Sequence, residues 1–295
     1  MRRTIGALVA AALLAAACGG GGEGSGGGGG GSSPQSGEAS GMLADVLDRG
    51  VLRVSTDPAY PPQSFLNEEG DMEGFDIDVA TEIANRLGVD IAWETPAWDT
   101  IIAGNWQGRW DISVGSMTVT PEREDVLHFT PAYYYTPAAV AVHRDNTTIT
   151  DLATDLDGKT IGVCGGCTYE FFLEGSLEIP GEQIDFVVDD PDVKPYDTDS
   201  SAIQDLALGD GVRLDAVMSA LPTLKEAEDK DRPVKIVGDP LFYEPLAAAI
   251  DKNAPSDPMP FVEEVSGIIE QMHDDGTLSE LSTKWYGVDL TKKSS

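Results

Sequence analysis

Residues 115–123, with the sequence GSMTVTPER, place one arginine just after three hydroxyl side chains. The hydroxyl residues are Ser116, Thr118 and Thr120, and the arginine is Arg123. Arginine presents a planar, permanently charged fork that binds a carboxylate through two parallel hydrogen bonds. The segment therefore indicates either a site for a small carboxylate or an arginine in a structural ion pair, and the residues alone leave both open.

The charge balance limits the kinds of partner that the protein can bind. The chain has 19 basic and 51 acidic residues and a formal net charge of -32. Nucleic acid binding depends on cationic side chains that neutralise phosphates, so we exclude a nucleic acid partner. The acidity keeps the surface soluble, and either adaptation to high salt or an ordinary acidic bacterial surface accounts for it.

The N-terminal residues predict export and a lipid anchor. Residues 1–17 have two basic residues near their start, Arg2 and Arg3, followed by a short apolar run, which is the pattern of a secretory signal peptide. Small residues then precede Cys18, as in a bacterial lipobox, so we expect lipidation of Cys18 and anchoring to the outer face of the cell membrane. An ordinary cleaved signal followed by an unrelated cysteine is the alternative. Residues 18–41 are rich in glycine and predict a flexible tether.

The remainder, residues 42–290, alternates short apolar strands with amphipathic helices, which predicts an α/β fold with mostly parallel sheets. The alternation restarts after residue 158, so one α/β unit is inserted within another, with crossings near 135–139 and 238–246. We predict lobe 1 at 42–136 plus 241–290 and lobe 2 at 137–240. The detailed predictions include helices at 98–107 and 168–173, strands at 185–188, 235–237 and 247–250, and Asp76 as a helix N-cap.

Six segments in this order resemble the bacterial extracytoplasmic solute-binding proteins of amino-acid ABC transporters, solute-binding family 3. The segments are 55–62 (STDPAYPP), 74–79 (GFDIDV), 115–123, 156–163 (LDGKTIGV), 215–217 (DAV) and 284–287 (KWYG). The resemblance implies a periplasmic-binding-protein-like fold, in which two lobes joined by two hinge strands close over a ligand in the cleft. It also implies a monomer that needs no cofactor and delivers its ligand to a membrane permease.

The resemblance also assigns ligand contacts to particular positions. Arg123 corresponds to the arginine that holds the ligand α-carboxylate, and Thr168 of the second lobe corresponds to a hydroxyl that reaches the same carboxylate. The turn at Gly115, Ser116 and Thr118 corresponds to donors and acceptors for the carboxylate and the amine.

Three further positions correspond to surroundings of the ligand side chain. Asp57 and Tyr60 lie near it in the family, and Trp98 forms an apolar or aromatic wall. From the residues alone, Asp57 could instead cap the turn at Pro58, and the two aromatic residues could belong to the core.

The chain departs from the family pattern at the position that usually supplies an aspartate for the ligand α-ammonium, which is Ala220 here. Either another acid, such as Asp199 or Asp57, replaces it, or the ligand lacks a standard α-ammonium. Gln63 replaces a common phenylalanine and suggests a wetter cleft.

Cys164 and Cys167 form a second departure, just before Thr168. A close pair outside the cytoplasm predicts a disulfide that stiffens the ligand loop, and a redox function is the alternative. We predict no metal site, because His128, His143 and His273 are scattered along the sequence.

These observations favour a lipid-anchored receptor that captures a small polar solute, most simply a polar or basic amino acid such as glutamine or arginine, for an ABC importer. An enzyme on the same scaffold, similar to cyclohexadienyl dehydratases, is one alternative, although the sequence contains no distinct acid–base pair. A ligand sensor that docks on a membrane receptor is another.

Overall fold

The computed structural model describes residues 39–293, in which helices and strands alternate along the chain. The helices are α1 (Gly41–Arg49), α2 (Phe75–Leu87), α3 (Trp98–Ile102), α4 (Pro121–Glu124), α5 (Leu152–Asp155), α6 (Thr168–Leu173), α7 (Asp199–Leu206), α8 (Leu221–Asp229), α9 (Met259–Asp274) and α10 (Thr277–Tyr286). The strands are β1 (Val51–Ser55), β2 (Ala59–Tyr60), β3 (Ser64–Leu66), β4 (Met72–Glu73), β5 (Asp90–Glu94), β6 (Ile112–Thr118), β7 (Leu127–Phe129), β8 (Tyr134–His143), β9 (Thr160–Cys164), β10 (Asp192–Tyr196), β11 (Ala216–Ala220) and β12 (Val234–Asp251).

Part of the predicted organisation lies outside this range. The signal peptide, Cys18 and the tether up to residue 38 are not among the described residues. Within residues 39–293, none of the helices is long and apolar enough to cross a membrane.

The principal sheet has the strand order β10-β9-β11-β8-β12-β6-β1-β5, with β7 also paired to β12. At one end β1 runs parallel to β5 and β6, and at the other end β9 runs parallel to β10 and β11. Between these two parallel groups, β8 and β12 run antiparallel to their neighbours. Strands β2, β3 and β4 form a separate small sheet.

The two parallel groups define the two lobes of an α/β fold, as predicted. Lobe 1 surrounds β1, β5 and β6, and its core contains Phe75 packed against the rings of Tyr133, Tyr134 and Tyr286. Lobe 2 surrounds β9, β10 and β11, and its core contains Phe172 at 5.0 Å from Phe242 between ring centroids. The boundaries given above for the two lobes stay a prediction.

The two predicted crossings lie side by side in the structure. Residues 135–139 belong to β8 and residues 238–246 to β12, and the strands pair from Phe242 opposite Ala138 to Leu246 opposite Tyr134. The expected strands at 235–237 and 247–250 are therefore parts of one long strand, whose register shifts between Val237 and Phe242. Paired hinge strands give the lobes a continuous hydrogen-bonded connection.

The helix predicted at 98–107 is wrong in its length, because α3 ends at Ile102. The next residues turn back on themselves, and Asn105 adopts a left-handed φ of 54°. The buried carboxylate of Asp251 accepts the backbone N–H groups of Asn105 and Trp106, at 3.1 and 2.5 Å. A distant side chain thus supplies the partners that a longer helix would have provided.

The strand predicted at 185–188 is also wrong. This apolar segment packs as a loop on the core of lobe 2, with Val188 buried and Phe186 at 5.6 Å from Phe172. The strand in this region is β10, which lies at the edge of the sheet and, among the strands of residues 39–293, pairs with β9 alone. An edge strand can be polar and contain a proline such as Pro195, so hydrophobicity does not locate it.

The start of α2 provides a test of close packing near the cleft. Gly74 precedes the helix with a φ of 135°, and a Cβ added there would lie 2.1 Å from the carbonyl oxygen of Gln63. Gly70 has a φ of 89° but open space around it. We expect Gly74→Ala to lower the free energy of unfolding by roughly 1–3 kcal/mol more than Gly70→Ala, measured by urea unfolding, because only Gly74→Ala adds overpacking to backbone strain. Equal losses would contradict the close approach.

Candidate functional site

A cavity between the two lobes brings the predicted ligand contacts together. It encloses about 460 Å³, counting space open to solvent. Its lining residues are Asp57, Tyr60, Trp98, Gly115, Ser116, Thr118, Arg123, Cys164, Cys167, Thr168, Tyr169, Asp199 and Glu244. All eight positions that the resemblance assigned to ligand contact are in this lining, together with three polar residues that it did not assign: Tyr169, Asp199 and Glu244.

Arg123 is positioned by the turn that follows β6. Thr120 accepts the backbone N–H of Arg123 at 3.4 Å and Pro121 starts the short helix α4, which directs the arginine side chain into the cavity. The guanidinium donates from Nη1 to the carbonyl of Thr118 at 2.8 Å and from Nη2 to the carbonyl of Gly166 at 3.0 Å. The central guanidinium carbon, Cζ, lies 5.2 Å from the centre of the Trp98 ring. The guanidinium is therefore held by one carbonyl from each lobe.

The charge of Arg123 has no direct ion-pair partner among the described residues. The side chain is buried, and no carboxylate of residues 39–293 lies within 4.0 Å of it. Its Nε is buried and has no hydrogen-bond partner. Burial lowers the pKa of Arg123 to about 10, with nearby Glu244 opposing that change, so the group stays charged at neutral pH. A structural ion pair is thus not what holds Arg123.

The loop between β9 and α6 closes the cavity from lobe 2. Cys164 and Cys167 are joined by a disulfide within this loop. The carbonyl of Gly166, between them, accepts from Trp98 Nε1 at 3.3 Å as well as from Arg123. The disulfide-closed loop therefore contacts two of the residues assigned to ligand contact in lobe 1.

Glu244 is a site residue that the sequence did not reveal. It lies on the hinge strand β12, is 1% exposed, and accepts hydrogen bonds from the hydroxyls of Thr118, at 2.8 Å, and Thr168. Burial raises the pKa of Glu244, while these hydroxyls, Tyr169 and the charge of Arg123 act against the increase. One hinge carboxylate thus joins a hydroxyl from each lobe.

Asp199 supplies a second buried acid, at the start of α7. Its Oδ1 accepts from the hydroxyl of Ser219 at 2.5 Å. Burial raises the pKa of Asp199 to about 7, and the negative charge of Asp57 adds to the effect. Ala220, the position at which the family usually has an acid, is fully buried and does not line the cavity.

Asp57 lines the cavity and also shapes the turn at Pro58. Its Oδ1 accepts the backbone N–H of Ala59 at 2.7 Å. Burial raises the pKa of Asp57, against the effect of that hydrogen bond. Tyr60 and Trp98 are half-buried and line the cavity, so neither belongs wholly to the core.

Asp76 does not cap α2, contrary to the expectation. The helix begins at Phe75 after Gly74, and the fully buried carboxylate of Asp76 turns inwards. It accepts from the hydroxyls of Ser116, at 2.7 Å, and Tyr133, at 2.8 Å. Because Ser116 has a left-handed φ of 54°, this network holds the cleft turn in a conformation that a serine seldom adopts.

Gln63 does not line the cavity, so its side chain does not supply the polar surface on which the expectation of a wetter cleft was based. Its side chain is fully buried and pairs with Thr223 of α8, at 3.1 and 3.2 Å. A further bond from Ser200 Oγ to the carbonyl of Ala59, at 2.6 Å, also connects the two lobes. These contacts hold the lobes together beside the cavity.

The cavity is lined by charged groups of both signs. It contains one permanent cation, Arg123, and three acids, Asp57, Asp199 and Glu244. No group of three or more histidine, cysteine, aspartate or glutamate residues within 39–293 has an arrangement that would hold a metal ion. The set suits a small ligand that carries both a carboxylate and at least one cationic group.

Fold and cavity together define a two-lobed solute-binding protein. The model for the bacterial extracellular solute-binding proteins, family 3, matches residues 52–288. The chain therefore belongs to this family, whose members serve amino-acid transport.

Individual relatives agree with this membership. The chain is 30% identical to the L-cystine-binding protein TcyJ of Escherichia coli (strain K12) over 264 residues, which cover 88% of this chain and 91% of the relative. It superposes with a TM-score of 0.68 and 34% identity on an ancestral arginine-binding protein bound to arginine, covering 81% of this chain and 99% of that one. It also superposes, with a TM-score of 0.70 and 29% identity, on the ancestral amino acid-binding protein AncCDT-1, a precursor of cyclohexadienyl dehydratase, covering 83% and 99% of the two chains.

The buried carboxyl of Asp76 predicts a pH dependence of stability. Burial raises the pKa of Asp76 from 3.8 to about 7, against the two hydroxyl bonds. Between these values the unfolded chain releases a proton that the folded chain keeps, so the free energy of unfolding falls as the pH rises. We expect Asp76→Asn to reduce the slope of the free energy of unfolding against pH by an amount equivalent to up to one bound proton. The slope would be measured by urea unfolding from about pH 4 to about pH 8. An unchanged slope would mean that Asp76 is ionised in the folded protein throughout.

Proposed function

We propose that the protein is a receptor for an α-amino acid with a polar or cationic side chain, which it delivers to an ABC importer. The observation that carries this proposal is the buried guanidinium of Arg123, whose Nε has no partner and whose charge has no direct counter-ion among residues 39–293. A ligand carboxylate beside it would supply the missing charge and acceptor in a buried site, where such a bond is strong.

The acids of the cavity support a ligand that also carries positive charge. Asp57, Asp199 and Glu244 outnumber Arg123, so a ligand with a carboxylate alone would add to an excess of negative charge. An α-amino acid with a further donor or cation in its side chain corrects that excess. Arginine and glutamine fit, and the arginine in a structural relative and the cystine in the name of TcyJ are amino acids of this polar kind.

The remaining lining residues have roles consistent with this ligand. Gly115 and Ser116 form the turn beside Arg123, and Trp98 stacks on the guanidinium and walls the cavity. Tyr60, close to Asp199, presents an aromatic surface to the ligand side chain. Thr118 and Thr168 face the ligand from opposite lobes, so ligand contacts with both would favour the closed arrangement.

The receptor acts outside the cytoplasm as a monomer, tethered to the membrane through a lipid on Cys18. The signal-like residues 1–17, the small residues before Cys18 and the glycine-rich stretch after it support this proposal. Replacing Cys18 by serine is expected to move the protein from the membrane fraction to the soluble fraction. Retention of the Cys18→Ser protein in the membrane would contradict lipid anchoring.

A dehydratase is the second candidate function. Two observations favour it: Asp199 and Glu244 are buried acids of raised pKa, suitable as general acids, and the structural relative AncCDT-1 is named as the precursor of such an enzyme. Both acids already accept hydrogen bonds from hydroxyl groups, as binding groups do. Incubation with prephenate-like cyclohexadienyl acids would decide between a dehydratase and a binding protein. Formation of an aromatic product would establish dehydratase activity.

Arg123 gives the direct test of the proposed receptor. In a thermal-shift panel of amino acids and amine-bearing osmolytes, ligand at 100 times Kd should stabilise the wild-type protein by about 2.7 kcal/mol. We expect Arg123→Ala to lose measurable binding, because its removal leaves the ligand carboxylate buried without a charged partner.

Arg109→Ala is the matched control, since Arg109 is exposed and lies over Trp110, outside the cavity. This variant should keep wild-type affinity. Absence of any stabilisation across the panel, or undiminished binding by Arg123→Ala, would overturn the proposal.

A further inference from the structure

We propose that Glu244 is the acid that pairs with the α-ammonium of the ligand and so replaces the acid that the chain lacks at Ala220. The proposal rests on the proposed function, because it concerns the amine of a ligand whose carboxylate binds Arg123. It assigns the recognition of the amine to a hinge strand rather than to the end of β11.

The first argument is proximity to the carboxylate site. The carboxylate and the ammonium of an α-amino acid are attached to the same carbon, so their partners in the protein must be neighbours. Thr118 contacts both Arg123 and Glu244, since its carbonyl accepts from Arg123 and its hydroxyl donates to Glu244, each at 2.8 Å. Glu244 is also the acid with the largest electrostatic effect on Arg123.

The second argument is the hydrogen-bonding capacity of the two threonines. A hydroxyl has one hydrogen to donate and can accept further bonds through its lone pairs. The hydroxyls of Thr118 and Thr168 both donate to the carboxylate of Glu244. While they keep these bonds they can only accept from a ligand, which suits the three N–H donors of an ammonium. The proposal therefore places the ligand ammonium beside Thr168, where the family resemblance implies the carboxylate.

The third argument is the position of the other two acids. Asp199 acts electrostatically on Tyr60 and is itself affected by Asp57, whereas neither acid is among the charges that act on Arg123. Glu244 also acts on Asp199, so the acids are electrostatically coupled, and Glu244 is the one of the three that acts on Arg123. This leaves Asp57 and Asp199 to face the ligand side chain.

Glu244→Gln tests the assignment with little change of shape. The amide oxygen still accepts from Thr118 and Thr168, while the negative charge is removed. Affinities would be measured by calorimetry at pH 8 for L-arginine and L-glutamine and for their 2-deaminated analogues, 5-guanidinopentanoate and 4-carbamoylbutanoate. We expect the variant to bind the two amino acids on the order of 10- to 100-fold more weakly, and to bind the deaminated analogues at least as well as the wild type does.

A second substitution tests whether position 220 and Glu244 serve the same group. The double variant Glu244→Gln with Ala220→Asp should recover much of the preference for amino acids over deaminated analogues. Glu263→Gln, on the exposed face of α9, is the control for removal of a negative charge and should behave as the wild type. Unfolding temperatures without ligand show whether each variant is folded.

Equal losses for amino acids and deaminated analogues would overturn the proposal, because Glu244 would then only support the structure. Unchanged affinity of Glu244→Gln for the amino acids would overturn it as well. In either case the proposed receptor would stand if Arg123→Ala still abolished binding. If no amino acid of the thermal-shift panel stabilised the wild-type protein, the proposed function and this inference would both fall.

Discussion

The cleft depends on one buried positive charge that is held by neutral carbonyl groups. Arg123 donates to the carbonyl of Thr118 in lobe 1 and to the carbonyl of Gly166 in lobe 2. These bonds fix the guanidinium without neutralising it, and a desolvated charge without a counter-ion is costly. In the proposed receptor, a ligand carboxylate would remove that cost only while both lobes surround it, and the same interaction would couple binding to closure.

The surrounding structure keeps this charge in place. The disulfide between Cys164 and Cys167 confines the loop that presents Gly166, and buried Asp76 fixes the turn at Ser116 through two hydroxyl bonds. The hinge strands β8 and β12 pair on both sides of the register shift between Val237 and Phe242, and β12 carries Glu244 into the cleft. A residue on a hinge strand that bonds a hydroxyl of each lobe is well placed to respond to the movement of either one.

The sequence predicted the parts of the site that lie in recognisable local patterns. The resemblance to the family, rather than the α/β alternation, assigned the positions that line the cavity. They include Asp57, Gly115, Ser116, Thr118, Arg123 and Thr168. Glu244 could not be found in this way. Its role depends on the pairing of β12 with β8 and on hydroxyls more than 70 residues away in sequence.

The errors in secondary structure have the same origin. The helix α3 stops at Ile102, and the backbone after it is held by Asp251, which is distant in sequence and accepts the N–H of Trp106. The strand β10 is a polar edge strand that is defined by its pairing with β9. Asp76 was expected at a helix end, but the tertiary structure uses its carboxylate inside the cleft wall. Local propensity describes neighbours in sequence, whereas these features depend on neighbours in space.

A crystal structure with the amino acid that stabilises the protein most would test the central claim most directly. The account predicts that the ligand carboxylate lies against the guanidinium of Arg123, within hydrogen-bond distance of Nε or an Nη. A ligand whose carboxylate lies elsewhere in the cleft, with Arg123 still held only by the carbonyls of Thr118 and Gly166, would contradict it.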